Sequence, residues 1–433
     1  MRSFATHARL ALVCALACGI LLAGGAFAQT SGGALNGKVV DNSGNPVGGV
    51  LITATNTATG FSRSANSGAD GRYTFALLPA GTYNVKAEAQ GMRTVEQQGV
   101  GVQVASSRTL DLQMELSAVE EAIVVTAQEV PLVPDSPAIG TVVSQKELQS
   151  LPLNGRQFAN LAVLAPGTQL AYNADPTKPG QLTVALNGGI GRNVNFTVDG
   201  GDNTDDTIGG ALQNFNLESV QEFKIQTMMY KAEYGRSSGG VLSVVTKTGS
   251  NEFHGSAWEF ARRKGLNSET ESEKGAGHGK QPYKRDQYGA SVGGPIVHDK
   301  AHFFATYEKT KRNTAYLVDT DSVLPQFDGL SVTTPFKDEL LTGKATWDIN
   351  AAQYLQVRYG WQKNADKYGQ SALAAPDSLG TVSNEYKSIL AGHTWQLGPS
   401  ALNEAIFQYT KFDNLISADS QAPTIYFPSG VHQ

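Results

Sequence analysis

The second half of the chain alternates. Gln353, Leu355, Val357, Tyr359 and Trp361 are largely apolar and are interleaved with Tyr354, Gln356, Arg358 and Gly360. Ala301, Phe303, Ala305 and Tyr307 alternate with His302, Phe304, Thr306 and Glu308; Ile389, Ala391, His393 and Trp395 form a third set, and Ala405, Phe407 and Tyr409 a fourth. A period of two is the period of a strand with two unlike faces. Segments of about ten such residues with aromatic ends, separated by polar loops, are the pattern of a transmembrane β-barrel. After the first 28 residues no apolar run reaches the roughly 20 residues that a helix needs to cross a bilayer. If this chain enters a membrane it must therefore do so as strands closed on one another.

The amino terminus supports an exported protein. Arg2 and Arg9 precede the apolar stretch Leu10–Leu22, and Ala26-Phe27-Ala28 supplies an A-x-A-like cleavage site, so residues 1–28 are expected to be a cleaved signal peptide. Both cysteines, Cys14 and Cys18, fall inside it. The mature chain then has no disulfide and must be held by core packing and sheet pairing. Losing the leader removes two basic and no acidic residues, which moves the formal net charge from -5 to -7. With no basic block, nucleic acid is not an expected partner.

Texture divides the remainder. Residues 29–117 read as a small β-sandwich: Tyr73 and Phe75, then Tyr83, Val85 and Ala87, then Leu110, Leu112, Met114 and Leu116 are alternating sets. Turn clusters such as Asp41-Asn42-Ser43-Gly44-Asn45-Pro46 and Pro79-Ala80-Gly81 separate them. Residues 118–137 are a connector. Its centre is β-prone, and Pro131, Pro134 and Pro137 disfavour any continuing helix or strand. Such a peptide is either a buried edge strand or a strand held for a partner to pair with. Residues 138–249 are mixed α/β. Ser144 and Glu147 fit a capping box with Leu148 and Leu151 on one helix face, and Phe158, Leu161 and Leu164 have the spacing of a helix core stripe. Strands are expected at Leu182–Leu186, Asn195–Val198 and Glu222–Thr227. The fold class is thus mainly β: a sandwich, a mixed α/β domain, and barrel-type strands in residues 250–433. The resemblance given below implies that the latter two are a plug domain and the first strands of an incomplete barrel.

Several stretches suggest chemistry and lose to plainer readings. Gly235-Arg236-Ser237-Ser238-Gly239 matches the G-x-S-x-G nucleophile elbow, which requires a helix directly after the serine. A β-branched run, Val241–Thr246, follows instead. Asp199, Asp202, Asp205 and Asp206 miss the EF-hand spacing and read as a solvated loop. The histidines show no H-E-x-x-H arrangement, so no zinc peptidase is expected. Trp258, Phe260, Trp361 and Trp395 suit an interface belt or a barrel wall. No catalytic residue, metal or cofactor is expected.

Two resemblances join the parts. Gly37-Lys38-Val39-Val40-Asp41, Gly44-Asn45-Pro46-Val47, and Gly71-Arg72-Tyr73-Thr74-Phe75 followed by Leu78-Pro79-Ala80-Gly81-Thr82-Tyr83 resemble the carboxypeptidase regulatory-like domain, which occurs as a non-catalytic module. The order of pieces resembles a TonB-dependent outer-membrane receptor of the Oar-like subgroup. Ile123, Val124, Val125, Thr126 and Ala127, behind Glu121-Ala122, resemble the TonB box. Asn154, Gly155 and Arg156 in Leu151–Phe158, Asp199 and Gly200 in Val194–Gly201, and Tyr234, Gly235, Arg236, Gly239 and Gly240 resemble plug motifs. This likeness implies a ligand of unknown identity, periplasmic TonB as partner, outer-membrane lipid around the barrel, and the N-terminal domain in the periplasm of a bacterium. It implies no enzyme. The rival classes are a surface adhesin or structural β-protein and, behind it, an exported serine hydrolase. Such receptors are similar to 22-stranded barrels with a plugged lumen. Residues 250–433 are enough for only seven or eight strands, so an N-terminal fragment or truncated gene is expected.

Overall fold

The computed structural model describes residues 31–116, 123–126, 138–171, 175–181, 183–276, 279–398 and 401–433. The leader Met1–Ala28, Ala127 and most of the connector lie outside the described residues.

Frequent turns cut the first segment into short strands: β1 (Gly33–Asp41), β2 (Leu51–Asn56), β3 (Ser62–Asn66), β4 (Arg72–Leu78), β5 (Gly81–Glu88), β6 (Val95–Val102), β7 (Ser107–Thr109) and β8 (Leu112–Met114). They form two facing sheets. One has the order β4-β1-β7, with β8 also on β1; the other runs β3-β2-β5-β6 and continues into β9 (Ile123–Thr126). The inward residues of β5, Tyr83, Val85 and Ala87, share a core with Leu35, Ile52, Tyr73, Phe75 and Met114. Each large apolar side chain buried there contributes about 1.5–3 kcal/mol. The two tyrosine hydroxyls in this core stay satisfied, Tyr73 donating to the Leu110 carbonyl at 2.6 Å and Tyr83 to that of Pro79 at 2.7 Å. Leu116 departs from its expected alternation. It is 82% exposed, because β8 stops at Met114 and Leu116 makes only an isolated bridge to Met92.

The middle segment is built on one mixed sheet. Its elements are β10 (Ile139–Val143), α1 (Gln145–Ser150), a 3-10 turn (Phe158–Leu164), β11 (Thr168–Leu170), β12 (Val184–Leu186), β13 (Val194–Val198), β14 (Gly201–Asp202), β15 (Val220–Met228) and β16 (Gly240–Thr246). The sheet order is β10-β15-β16-β13-β14. Every residue of β13 and β16 is buried, as befits central strands covered on both faces. The capping box forms, with Ser144 N–H donating to Glu147 at 2.7 Å. The expected stripe is shorter than its spacing suggests. Phe158 and Leu161 are buried in a 3-10 turn, whereas Leu164 is exposed, and so is Leu151, which has left the helix as its C-cap.

The last segment is a seven-stranded antiparallel meander: β17 (His254–Arg263), β18 (Lys284–Val297), β19 (Ala301–Leu317), β20 (Ser331–Asn350), β21 (Gln353–Tyr368), β22 (Gly380–Gly398) and β23 (Ala401–Ala418). Among the described residues β17 and β23 do not pair with each other, so the sheet is open. Its polarity is the reverse of a soluble sheet. Tyr359, Ile389 and Tyr409 are register neighbours and all face outward, exposed. On the other face Lys344 and Arg358, also register neighbours, are buried against the middle segment. An apolar outer band over a polar interior is what lipid outside and a wet or plugged lumen demand. This wall curves around the middle segment, which therefore occupies the place of a plug.

The sandwich docks on the plug and on the wall's short turns. Val104 N–H donates to Glu222 at 2.5 Å, and the Lys224 ammonium donates to the Ala105 carbonyl at 2.7 Å. Ala105 adopts a φ of 50° to present that carbonyl, a left-handed conformation uncommon for a non-glycine residue. Arg63 donates to the Ala351 carbonyl at 2.5 Å, and the Phe61 ring meets Tyr354 edge-on at 5.4 Å. Burial raises the Glu222 carboxyl to about 7 and lowers the Lys224 ammonium to about 8. A raised carboxyl favours the docked state when protonated. Its contribution is fully present below the ordinary carboxylate range and is lost as pH rises toward 7. The lysine's unfavourable term is complete below 8 and so stays constant across that window. Docking is expected to strengthen by on the order of 1 kcal/mol between pH 7.5 and 5. Glu222→Gln should flatten that dependence. Hydrogen exchange at residues 104–106 across this pH range checks both.

Candidate functional site at the plug and wall

Two clusters tie the plug to the wall, and each begins at a turn that the sequence dictates. In the first, Gly155 and Arg156 have φ of 84° and 56°, so the chain doubles back and aims three consecutive residues at the wall. Asn154 Oδ1 accepts from Arg262 at 3.0 Å and from Arg285 at 2.9 Å, and the Gly155 carbonyl accepts from Gln287 at 3.2 Å. The Arg156 guanidinium bridges Glu218 of the plug at 3.0 Å and Glu308 of β19 at 3.2 Å. It also lies over the rings of Phe260 at 4.6 Å and Trp258 at 5.4 Å, and Trp258 donates its indole N–H to the same Glu308 at 2.9 Å. A planar guanidinium suits this place because it offers directed donors at its edge and stacks by its faces.

The second cluster centres on Asp199. The Asp199-Gly200 turn, with φ of 51° and 80°, joins β13 to β14 and leaves Asp199 with no exposure. Its carboxylate accepts from Thr246 N–H at 3.0 Å, Thr246 Oγ1 at 2.6 Å, Lys344 at 2.8 Å and Arg358 at 3.3 Å. Arg358 also donates to the Val198 carbonyl at 2.8 Å. Burial opposes the charged carboxylate, yet Lys344 and Arg358 beside it hold its pKa below the usual range. One plug carboxylate thus answers two buried wall cations.

The third plug stretch stays within the plug. Arg236, at φ 56°, pairs with Asp202 at 2.5 Å and with Asp206, and the described contacts do not take it to the wall. Tyr234 is buried. The Gly235 carbonyl accepts from Asn195 at 2.8 Å. Gly239 approaches the Asn193 carbonyl so closely that an added Cβ would lie 2.8 Å from its oxygen, and a Cβ on Gly240 would lie 2.6 Å from that of Gln226. Ser237 Oγ donates to the Asn193 carbonyl at 2.8 Å and accepts from Gly240 N–H at 2.9 Å. It closes a turn, with no His among its described partners.

The solvated-loop expectation for Asp199, Asp202, Asp205 and Asp206 needs correction. Asp199 and Asp205 are buried, and Asp205 is paired with Lys178 and accepts from Gln181 at 2.7 Å. All four carboxylates have cationic partners. Among the described residues no cluster of acids, histidines and cysteines could hold a metal. Sequence reasoning missed Glu218, Thr246, Glu308, Lys344 and Arg358. For the last three a signal existed: each is a charge on the polar phase of an alternating strand, the phase that faces the lumen.

Removing the Asp199 charge leaves Lys344 and Arg358 buried without a counter-charge. Asp199→Asn is expected to destabilise plug–wall association by about 3–5 kcal/mol. Arg236→Ala, at a pair more than half exposed, should cost no more than about 1 kcal/mol. Denaturation midpoints of the two variants in detergent measure the contrast.

Comparison with known proteins agrees with this anatomy. Residues 34–115 match the model of the carboxypeptidase regulatory-like domain, and residues 245–328 match that of an outer membrane beta barrel domain. The TonB-dependent transporter Oar of Myxococcus xanthus is 29% identical over 328 residues, covering 71% of this chain and 30% of that protein. The chain thus spans under a third of the length of that relative. The outer membrane transporter YddB from Escherichia coli superposes with a TM-score of 0.54 at 13% identity, covering 65% of this chain and 40% of that one, a likeness of fold. With a sandwich, a plug-like body and an outwardly apolar wall, the chain is similar to the TonB-dependent transporter Oar, and it matches the carboxypeptidase regulatory-like and outer membrane beta barrel domains over those two segments.

Proposed function

We propose that this chain serves active uptake of a ligand across the bacterial outer membrane, energised by a contact between Ile123–Ala127 and periplasmic TonB. The observation that carries the proposal is the polar plug held inside an outwardly apolar wall by Asp199, Lys344, Arg358, Arg156 and Glu308. An adhesin has no use for a polar body filling a barrel lumen. A closed passage that must open needs such a body, and it needs a handle by which to be moved.

Orientation supports the handle's place. The turns 298–300 and 351–352 are short, whereas 264–283, 318–330 and 369–379 at the opposite end are long. Outer-membrane barrels keep short turns on the periplasmic side and long loops outside. The sandwich docks at the short-turn end, through Arg63 to Ala351 and through Asn251 N–H to the Ala58 carbonyl at 2.9 Å. That supports a periplasmic side for the sandwich and the segment it carries, the side on which TonB would act. An extended peptide suits recognition by strand addition, since backbone pairing gives affinity with little demand on side chains. Force on the segment passes along the connector into β10, which pairs with β15 at the edge of the plug sheet.

Deleting Ile123–Ala127 in the intact protein is expected to abolish capture by the purified periplasmic portion of TonB while leaving folding and membrane insertion unchanged. Retention of capture at the wild-type level would sink the coupling proposal.

A further inference from the structure

Strand β9 is not free. Ile123–Thr126 runs parallel to β6 with Val95 opposite Ile123, Glu96 opposite Val124, Gln97 opposite Val125 and Gln98 opposite Thr126. It is the fifth and last strand of its sheet. The acceptor edge has a built length. In the β5–β6 ladder Tyr83 pairs with Val100 and Val85 with Gln97, so two residues of β6, Gln98 and Gly99, stand opposite Asn84 alone. Gly99 takes a φ of 75° at this bulge. A bulge bends a strand and disrupts its ladder locally. Among the described residues the pairing with Ile123–Thr126 lies on the four residues of β6 that precede Gly99.

The approach to this edge is also fixed. Leu116 bridges Met92, Arg93 N–H donates to the Glu115 carbonyl at 2.8 Å, and the Arg93 guanidinium pairs with Glu115 at 3.1 Å. The six residues 117–122 tether the segment to a point beside its acceptor. A short tether makes docking intramolecular, at an effective concentration in the millimolar range. Among the described residues the pairing is parallel and spans four positions, and parallel pairing is slightly less stable per residue than antiparallel. Short pairing on a short tether gives a contact that is well populated yet readily opened.

We propose that the Val95–Gln98 edge of the regulatory-like domain is a docking site for the chain's own coupling segment, from which a strand of TonB must take it. This rests on the coupling role proposed above. The domain then acts as a competitor for the segment and sets how often TonB finds it available.

Gln97 and Val125 are register partners, so Gln97→Cys with Val125→Cys places two thiols across the ladder. The native cysteines, Cys14 and Cys18, are exchanged for serine to keep the chemistry clean. In the intact protein, bridging the pair by a disulfide or a short bis-maleimide is expected to weaken capture of the purified periplasmic portion of TonB about ten-fold or more. Reduction of the disulfide should restore it. Hydrogen exchange at residues 95–98 should speed up when TonB is added, because their strand partner leaves. Equal capture by the bridged and reduced forms, with residues 95–98 still protected in the complex, overturns the proposal; TonB would then read the segment's outer edge while it remains on β6. Failure of the two thiols to bridge in a folded sandwich overturns it as well. If the unmodified protein does not capture TonB, the coupling role itself fails and this inference falls with it.

Discussion

The wall carries charge on the face that a soluble protein would make apolar, and everything inside it follows from that. Lys344 and Arg358 are buried on β20 and β21 with no acidic strand neighbour in register: Lys344 stands opposite Arg358, which stands opposite Leu390. Two adjacent cations of one sign cannot be left dry without a counter-charge. Asp199 supplies it from the plug, and the Asp-Gly turn exists at that point to hold the carboxylate under both. The β13–β16 pair is then fixed to the wall at Thr246, eight residues before the first wall strand begins at His254.

Arg156 shows the same constraint with the signs reversed. Here the buried wall charge is Glu308 and the plug brings the cation, braced by the rings of Trp258 and Phe260. The two clusters are of opposite polarity and lie on different wall strands, so the plug has a unique seat. A shift that carried Arg156 to Lys344 and Arg358, or Asp199 to Glu308, would set like charges against one another.

Much of this anatomy was legible in the sequence, and the illegible part has a common cause. Alternation found four of the seven wall strands, β19, β21, β22 and β23, because their outward residues such as Tyr359 and Ile389 are apolar and their inward ones polar, which imposes a period of two. The capping box at Ser144 and Glu147 was legible because it is local. What failed was whatever depended on a partner distant in the chain. DGGDNTDD looks solvated by composition, and no local property reveals that Lys344, 145 positions later, takes up one of its carboxylates. Leu164 and Leu151 matched a helical spacing, but Leu164 closes an exposed end of a 3-10 turn and Leu151 lies just past the end of its helix. The strand at Ile123–Thr126 was visible as β-prone, whereas the edge that receives it, Val95–Gln98, belongs to a strand outside its local sequence pattern.

Under the coupling role proposed above, the choice of charge over hydrocarbon at the plug–wall boundary suits a body that moves. A hydrophobic interface of the same area would be separated only at the cost of exposing it to water, which grows with every square ångström uncovered. A buried ion pair behaves otherwise. Desolvation nearly cancels its attraction when it forms, and water returns most of that when it opens. Asp199, Lys344 and Arg358 are thus strongly destabilising when one member is deleted but cheap to separate when all are rehydrated together. The plug is held in register by contacts that specify position more than they resist displacement, whereas the sheet hydrogen bonds within β13, β15 and β16 resist stretching directly. A pull applied through β10 meets its edge pairing with β15 first. Partial displacement of the plug, beginning at that edge and admitting water to the two charge clusters, is the least costly response the structure offers.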